Sequence, residues 1–263
     1  MDDDGTLMRM NNWMKCAALG LTALGLVAAG CGQQAQQGEK TYKVGIVQLV
    51  EHSSLDDANR GFVDGLKERG YEEGKNLTID RQNAQADQSN LQNIVQRFIS
   101  DKVDLICAIA TPAVQSAANA TKDIPIVGTA VTDYVSAKVV ASNDAPGGNV
   151  TGTSDLAPIA EQIDLLMQLY PNAKTIGTIY SSSEINSEIQ VKAMTEYAQS
   201  KGLTVRTATI STVNDIQQAA QSMVNDVDVF YEPTDNVIAS AIPTLTSITD
   251  PAGKGVICGY VGG

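Results

Sequence analysis

Small hydroxyls and carboxylates recur directly after short apolar runs, and helical patterns begin at once behind them. Leu49-Val50-Glu51-His52-Ser53-Ser54 follows one run, Thr111-Pro112-Ala113 a second and Val131-Thr132-Asp133 a third. Farther along, Tyr180 is followed by Ser181-Ser182-Ser183-Glu184, and Tyr231-Glu232-Pro233 leads into Thr234-Asp235-Asn236. A helix start carries N–H groups without intrahelical partners and the positive end of the helix dipole, so it holds anions such as a carboxylate. Short hydroxyls let the backbone approach a ligand and add donors of their own. Asp133 and Asp235 are candidates for the opposite task, gripping an ammonium. An anion cradle beside a carboxylate is what a free amino acid requires. Taken alone, each of these residues is more simply a helix N-cap. The binding reading comes from their recurrence at several run ends that can face one cleft.

Other chemistries find no assembled set. Ser181-Ser182-Ser183 lacks the G-x-S-x-G elbow, and the only histidine, His52, lies far from it in sequence. No phosphate-binding glycine loop occurs, and Gly147-Gly148 reads as a turn. One histidine cannot build a His-rich metal centre, and the cysteines show no Cys-x-x-Cys spacing. The expectation is therefore no catalytic residue, no metal, no cofactor and no enzyme. The net charge of −12 repels a phosphate backbone and argues against nucleic acid as a partner.

The elements that must carry these residues alternate. Lys43–Gln48 reads as a buried strand, Leu55–Arg69 as a helix stopped by Gly70, and Leu77–Arg81 as a second strand. Gln88–Ser100 is a helix, Asp104–Ala110 a strand, Thr111-Pro112-Ala113 a helix start with proline in its first turn, and Ile124–Ala130 a fourth strand. Asp144-Ala145-Pro146-Gly147-Gly148-Asn149 breaks the pattern, and Val150–Asp155 reads as an extended segment crossing to a second lobe. The alternation then restarts, with helices at Ile159–Tyr170, Glu184–Lys201, Asn214–Val224 and Asn236–Thr249. Each leads to a strand, at Thr175–Tyr180, Thr204–Ile210, Asp228–Tyr231 and Gly255–Tyr260. Such alternation predicts an α/β chain of two Rossmann-like lobes with parallel sheets, and 263 residues suffice for two domains. Open parallel sheets take ligands at the carboxyl ends of their strands, where the hydroxyls and acids stand.

The N-terminus sets the compartment. Arg9 and Lys15 precede an uncharged run, Cys16 to Gly30, of signal-peptide length and too short to span a bilayer. It ends in Val27-Ala28-Ala29-Gly30-Cys31, which resembles a bacterial lipobox with Cys31 as the lipidated thiol, although Ala28 stands where leucine is usual. Met8 and Met10 are candidate true starts. The expected domains are a lipoprotein signal at 1–31, a Gln-rich tether at 32–41, an N-terminal lobe at 42–150 and a C-terminal lobe at 151–263.

The stretches V-G-I-V-Q from Val44, A-T-P-A from Ala110, P-G-G-N-V-T-G from Pro146, I-Y-S-S-S-E from Ile179 and P-T-D-N from Pro233 resemble the ABC-transporter substrate-binding proteins of the tryptophan/tyrosine type. The resemblance implies the type I periplasmic-binding-protein fold, two lobes joined by three crossings. It implies a monomeric, extracytoplasmic, lipid-anchored importer component that works with an ABC permease and carries an aromatic amino acid. It suggests Ser54, Thr111, Ala113, Thr132, Asp133, Ser182, Ser183, Asp235 and Asn236 as cleft residues. The family pattern continues past Gly262-Gly263 with further strands and a returning helix, so the C-terminal part is expected to be truncated. A nucleoside, a sugar or another amino acid is the alternative cargo. Sugar sites stack their ligand on aromatic faces; the only tryptophan, Trp13, lies in the leader, leaving Tyr134, Tyr180 and Tyr231 to stack. A lipid-anchored enzyme is the alternative of another class. A repressor of this fold would carry a basic helix-turn-helix in front, where this chain has the lipobox.

Overall fold

The computed structural model describes residues 40–260; the leader, Cys31 and all but the end of the tether lie outside the described residues. The first sheet contains β1 (Tyr42–Gln48), β2 (Leu77–Asn83), β3 (Leu105–Ile109), β4 (Ile126–Val131) and β5 (Val150–Ser154). Its order is β2-β1-β3-β4-β5 and every pairing is parallel. The helices α1 (Ser53–Glu68), α2 (Gln88–Ser100) and α3 (Thr111–Ala120) cover it. Strands covered on both faces bury every residue, and Val44, Ile46, Val47, Ile106, Cys107, Ala108 and Ile109 are all buried. At Gly45 a Cβ would meet the Phe98 ring of α2 at 2.6 Å, so the backbone of β1 lies directly against that ring.

The second sheet contains β6 (Thr175–Ser181), β7 (Thr204–Ile210), β8 (Val229–Glu232) and β9 (Val256–Cys258), parallel throughout in the order β7-β6-β8-β9. The helices α4 (Ile159–Leu169) and α5 (Ile185–Ser200) pack on one face, around Ile163, Leu166, Val191 and Met194. On the other face lie α6 (Ile216–Met223), α7 (Asn236–Ala239) and α8 (Ile242–Thr249), around Ile216, Ala220, Phe230 and Ile238. In both sheets the strand order reverses beside the first strand, between β1 and β3 and between β6 and β8. Those are the crevices where doubly wound sheets take ligands.

The chain is thus the expected α/β pair of parallel-sheet lobes. Three elements differ from the sequence reading. Val150–Asp155 is not a crossing segment: residues 150–154 are β5, paired with β4, and the first sheet runs past residue 150. Only Val150 of this strand is buried, which left it no apolar signature. The crossing is residues 155–158, the one passage between sheets among the described residues. The helix expected over Asn236–Thr249 is two helices, because Pro243 has no N–H to donate and its ring clashes with the carbonyl one turn back. The helix expected from Asn214 opens instead with a 3-10 turn, Val213–Asp215, held by a capping box between Thr212 and Asp215.

Candidate functional site

The loops behind β1, β4 and β5 meet those behind β6, β8 and β9. Helix α1 begins at the end of β1, and its N-cap residue His52 is extended and gives the helix no side-chain cap. Between the sheets lies a cavity of about 50 Å³. The first lobe contributes His52, Ser54, Leu55, Ala130 and Asp155 to its wall, and the second contributes Thr234, Asp235, Asn236, Ala239 and Tyr260. That volume has room for a few waters. A wider groove of about 490 Å³ runs between Val50, Glu51 and Ala86 of one lobe and Thr212, Val237 and Ser240 of the other. Cavity and groove therefore flank the same two chain segments, residues 50–55 and 234–241. Ala130 holds φ at +53° and Ala110, the N-cap of α3, at +85°. Both are conformations that side chains disfavour, and both sit at strand ends facing the second lobe.

The second lobe brings buried acids to this place. Glu184, Glu232 and Asp235 are each almost fully buried. Among the described residues no lysine or arginine pairs with any of them. Burial first, and the neighbouring Asp235 charge second, push the Glu184 carboxyl well above the usual carboxylate range. Burial likewise raises Asp235, and it pushes Glu232 up to about 8 with help from the Asp235 charge. Asp235 accepts from the N–H groups of Ser181 at 2.7 Å and Ile238 at 2.9 Å. Glu184 accepts from Val237 N–H at 2.9 Å, Asn186 Nδ2 at 3.0 Å and Asn236 Nδ2 at 2.5 Å. With its amide nitrogen committed to Glu184, Asn236 turns its oxygen to His52 Nε2 across the cleft, at 3.3 Å. His52 must therefore carry its proton on Nε2. Burial lowers the His52 pKa, which favours the neutral ring.

Of the nine residues suggested by resemblance, Ser54, Asp235 and Asn236 line the cavity. Thr111 and Ala113 are buried in the first turn of α3, outside that wall. Thr132 is buried behind the wall, facing Gln190 of α5. Asp133 faces away: its carboxylate accepts from Ser136 N–H and Asn143 Nδ2 and closes the turn after β4. Ser182 donates to Ile210 O at 3.1 Å, Ser183 bonds Ser181 at 2.8 Å, and both stay exposed. The ammonium role considered for Asp133 is thus occupied by its own loop. That of Asp235 is occupied by backbone caps. Tyr134 and Tyr231 are buried, their hydroxyls donating to Thr153 O and Gln162 Oε1, so Tyr260 is the tyrosine that reaches the cavity.

The sequence reading overlooked Asp155 and Tyr260 of the cavity wall and Glu184 and Gln190 buried behind it. Asp155 follows a strand as the other candidates do, but its strand went unread. Glu184, Asn186, Ser187 and Gln190 form a buried polar stripe at helical spacing on and before α5. Polar residues at that spacing ordinarily mark the solvent face.

A family model described as "ABC transporter substrate binding protein" matches residues 43–260. A curated "Tyrosine-binding protein" of Clostridioides difficile is 49% identical over 212 residues, 81% of this chain and 61% of that protein. The chain spans about 60% of the length of the curated relatives it matches. A Streptococcus pneumonia ABC domain solved in complex with L-Trp is 40% identical, with TM-score 0.81, over 85% of this chain and 75% of that one. A ligand-free, open substrate binding protein with adhesive properties from Clostridium difficile is 47% identical, with TM-score 0.58, over 83% of this chain and 74% of that one. The chain superimposes better on the L-Trp-bound domain than on the open, ligand-free protein. The fold is that of the type I periplasmic binding proteins.

Proposed function

We infer, because the chain belongs to the ABC transporter substrate-binding protein family, that its two lobes close on a free aromatic amino acid in the cavity between them. The observation that carries this reading is a cavity with a helix start on one wall and a carboxylate on another. The start of α1, with Ser54, receives the ligand carboxylate, where the helix dipole favours an anion. Asp155 receives the ammonium; it lines the cavity at the end of β5 and takes one side-chain bond, from Thr132, whereas Asp133 and Asp235 each already hold two donors. Tyr260, Leu55 and Ala239 supply the apolar surface for the ring. His52 and Asn236 close the cavity from opposite lobes. The ligand enters when the lobes part, along the groove between residues 50–52 and 237–240, and the cavity takes its shape as they close around it. Ligand then favours the closed form by its differential affinity for it.

The functional setting follows from the same reading. The first lobe runs from residue 42 through β5 and the second from α4 onward. Cys31 carries the lipid and holds the protein outside the cytoplasmic membrane, where the closed form delivers its cargo to an ABC permease. The protein acts as a carrier, not an enzyme. That relatives are named for tyrosine and solved with L-Trp supports the aromatic cargo. The test is a fluorescence titration of protein starting at Thr41. Trp13 is the only tryptophan and is absent from that protein, so blue-shifted indole emission on adding L-tryptophan reports bound ligand. The expected result is a saturable shift competed by tyrosine or phenylalanine. A flat titration of folded protein removes this cargo and directs a thermal-shift screen to nucleosides, sugars and other amino acids.

A further inference from the structure

Away from the ligand contacts, α5 reaches across the lobe boundary with one side chain. Gln190 is fully buried and takes no part in the cavity wall. Its Nε2 shares two hydrogens among three acceptors, Asn186 O at 3.2 Å and Thr234 Oγ1 within the second lobe and Thr132 Oγ1 of the first lobe at 3.2 Å. Its Oε1 accepts from Thr234 N–H at 3.3 Å, so the amide orientation is fixed and Nε2 must face Thr132. Thr132 and Thr234 hydroxyls also stand 3.4 Å apart. Thr132 itself is anchored, its carbonyl accepting from Ser154 Oγ of β5 at 2.7 Å. A carboxamide is a costly thing to bury in an interior unless each of its groups is satisfied. Here one of its bonds exists only while the lobes are together.

We propose that Gln190 is a closure latch: a positioning residue that holds the closed form through Thr132 without touching the ligand. The proposal rests on the reading that the lobes close over a cargo, but the bridge itself needs none. Opening the lobes separates Gln190 from Thr132 and leaves its bonds within the second lobe intact. The latch therefore acts on release more than on capture, since encounter occurs in the open form.

Thr132 also hydrogen-bonds Asp155, so a single variant would mix the latch with the ligand site. A double-mutant cycle separates them. Thr132→Val, Thr132→Ser, Gln190→Met and the Val/Met double variant are compared with wild type by stopped-flow release of L-tryptophan and by small-angle X-ray scattering without ligand. A latch predicts that Thr132→Val and Gln190→Met each speed release by roughly three- to tenfold. It predicts that the double variant is no faster than the singles, that Thr132→Ser restores slow release, and that both singles have a larger ligand-free radius of gyration than wild type. Independent, multiplying effects with unchanged scattering would overturn it, as would lower melting temperatures with unaltered release and scattering. If no aromatic amino acid binds wild type, the cargo reading fails, and the ligand-free scattering comparison alone decides the latch.

Discussion

At matching places in the two lobes the chain puts opposite chemistry. The helix behind the first strand of the first lobe is headed by His52, and its counterpart in the second lobe by Glu184. The helix behind the next strand inward is headed by Ala110 in the first lobe and by Asp235 in the second. The first lobe thus meets the cleft with an uncapped helix start, with His52, Leu55 and Asp155, and with the positive-φ backbone at Ala110 and Ala130. The second meets it with buried carboxyls, an amide ladder and a capped helix start. The contrast separates two jobs. A ligand-facing surface must leave groups available, whereas a surface that must keep its shape as the lobes part satisfies its polar groups internally.

The largest expected break of this contrast is by pH. Unfolded glutamate releases its proton near 4.5, whereas Glu232 holds its proton to about 8, with Glu184 and Asp235 raised in the same direction. Between these values the native state binds more protons than the unfolded one, so unfolding becomes easier as pH rises. The slope is up to about 1.4 kcal/mol per pH unit for one such acid. Thermal melts from pH 5 to 8 should fall accordingly, and Glu232→Gln should flatten the trend; a melting temperature that climbs across this window would refute the proton-holding acids. Next in size, Asp235→Ala strips caps from Ser181 and Ile238 and should cost about 2–3 kcal/mol in urea unfolding. An unchanged midpoint would remove its structural role. Smallest, Asp155→Asn in the first lobe should leave stability unaltered and weaken amino-acid binding about tenfold, roughly 1.4 kcal/mol. Were it to unfold the protein while sparing affinity, the assignment of jobs to lobes would be reversed.

Most of the architecture was legible because fully buried strands write themselves as apolar runs: β1, β3 and β6 are read directly from Val44, Ile106 and Ile176 and their neighbours. β5 was not, since four of its five residues are exposed and Gly152 is there for closeness: a Cβ would strike Tyr134 and the Gly128 backbone. The split at Pro243 was written in the sequence and passed over. Strand ends located the site, but position along the chain does not give side-chain direction. Asp133 and Asp155 both follow strands, and only the fold turns one into a loop and the other into the cavity. The stripe from Glu184 to Gln190 was illegible for a deeper reason. Its residues belong to the types that normally face water, and the partners that bury them, Thr234, Asn236 and Val237, stand 48 to 53 residues farther along the chain.

The shared strand order, β2-β1-β3-β4 against β7-β6-β8-β9, gives both lobes one frame. Two like edges facing one another would present like poles, both inviting an anion. An amino acid has a head and a tail and needs a polar axis. In the second lobe Glu184 and Asp235 fill the N–H groups at the start of α7, so the uncapped start of α1 is the one pole left for a carboxylate, and the pocket gains that axis.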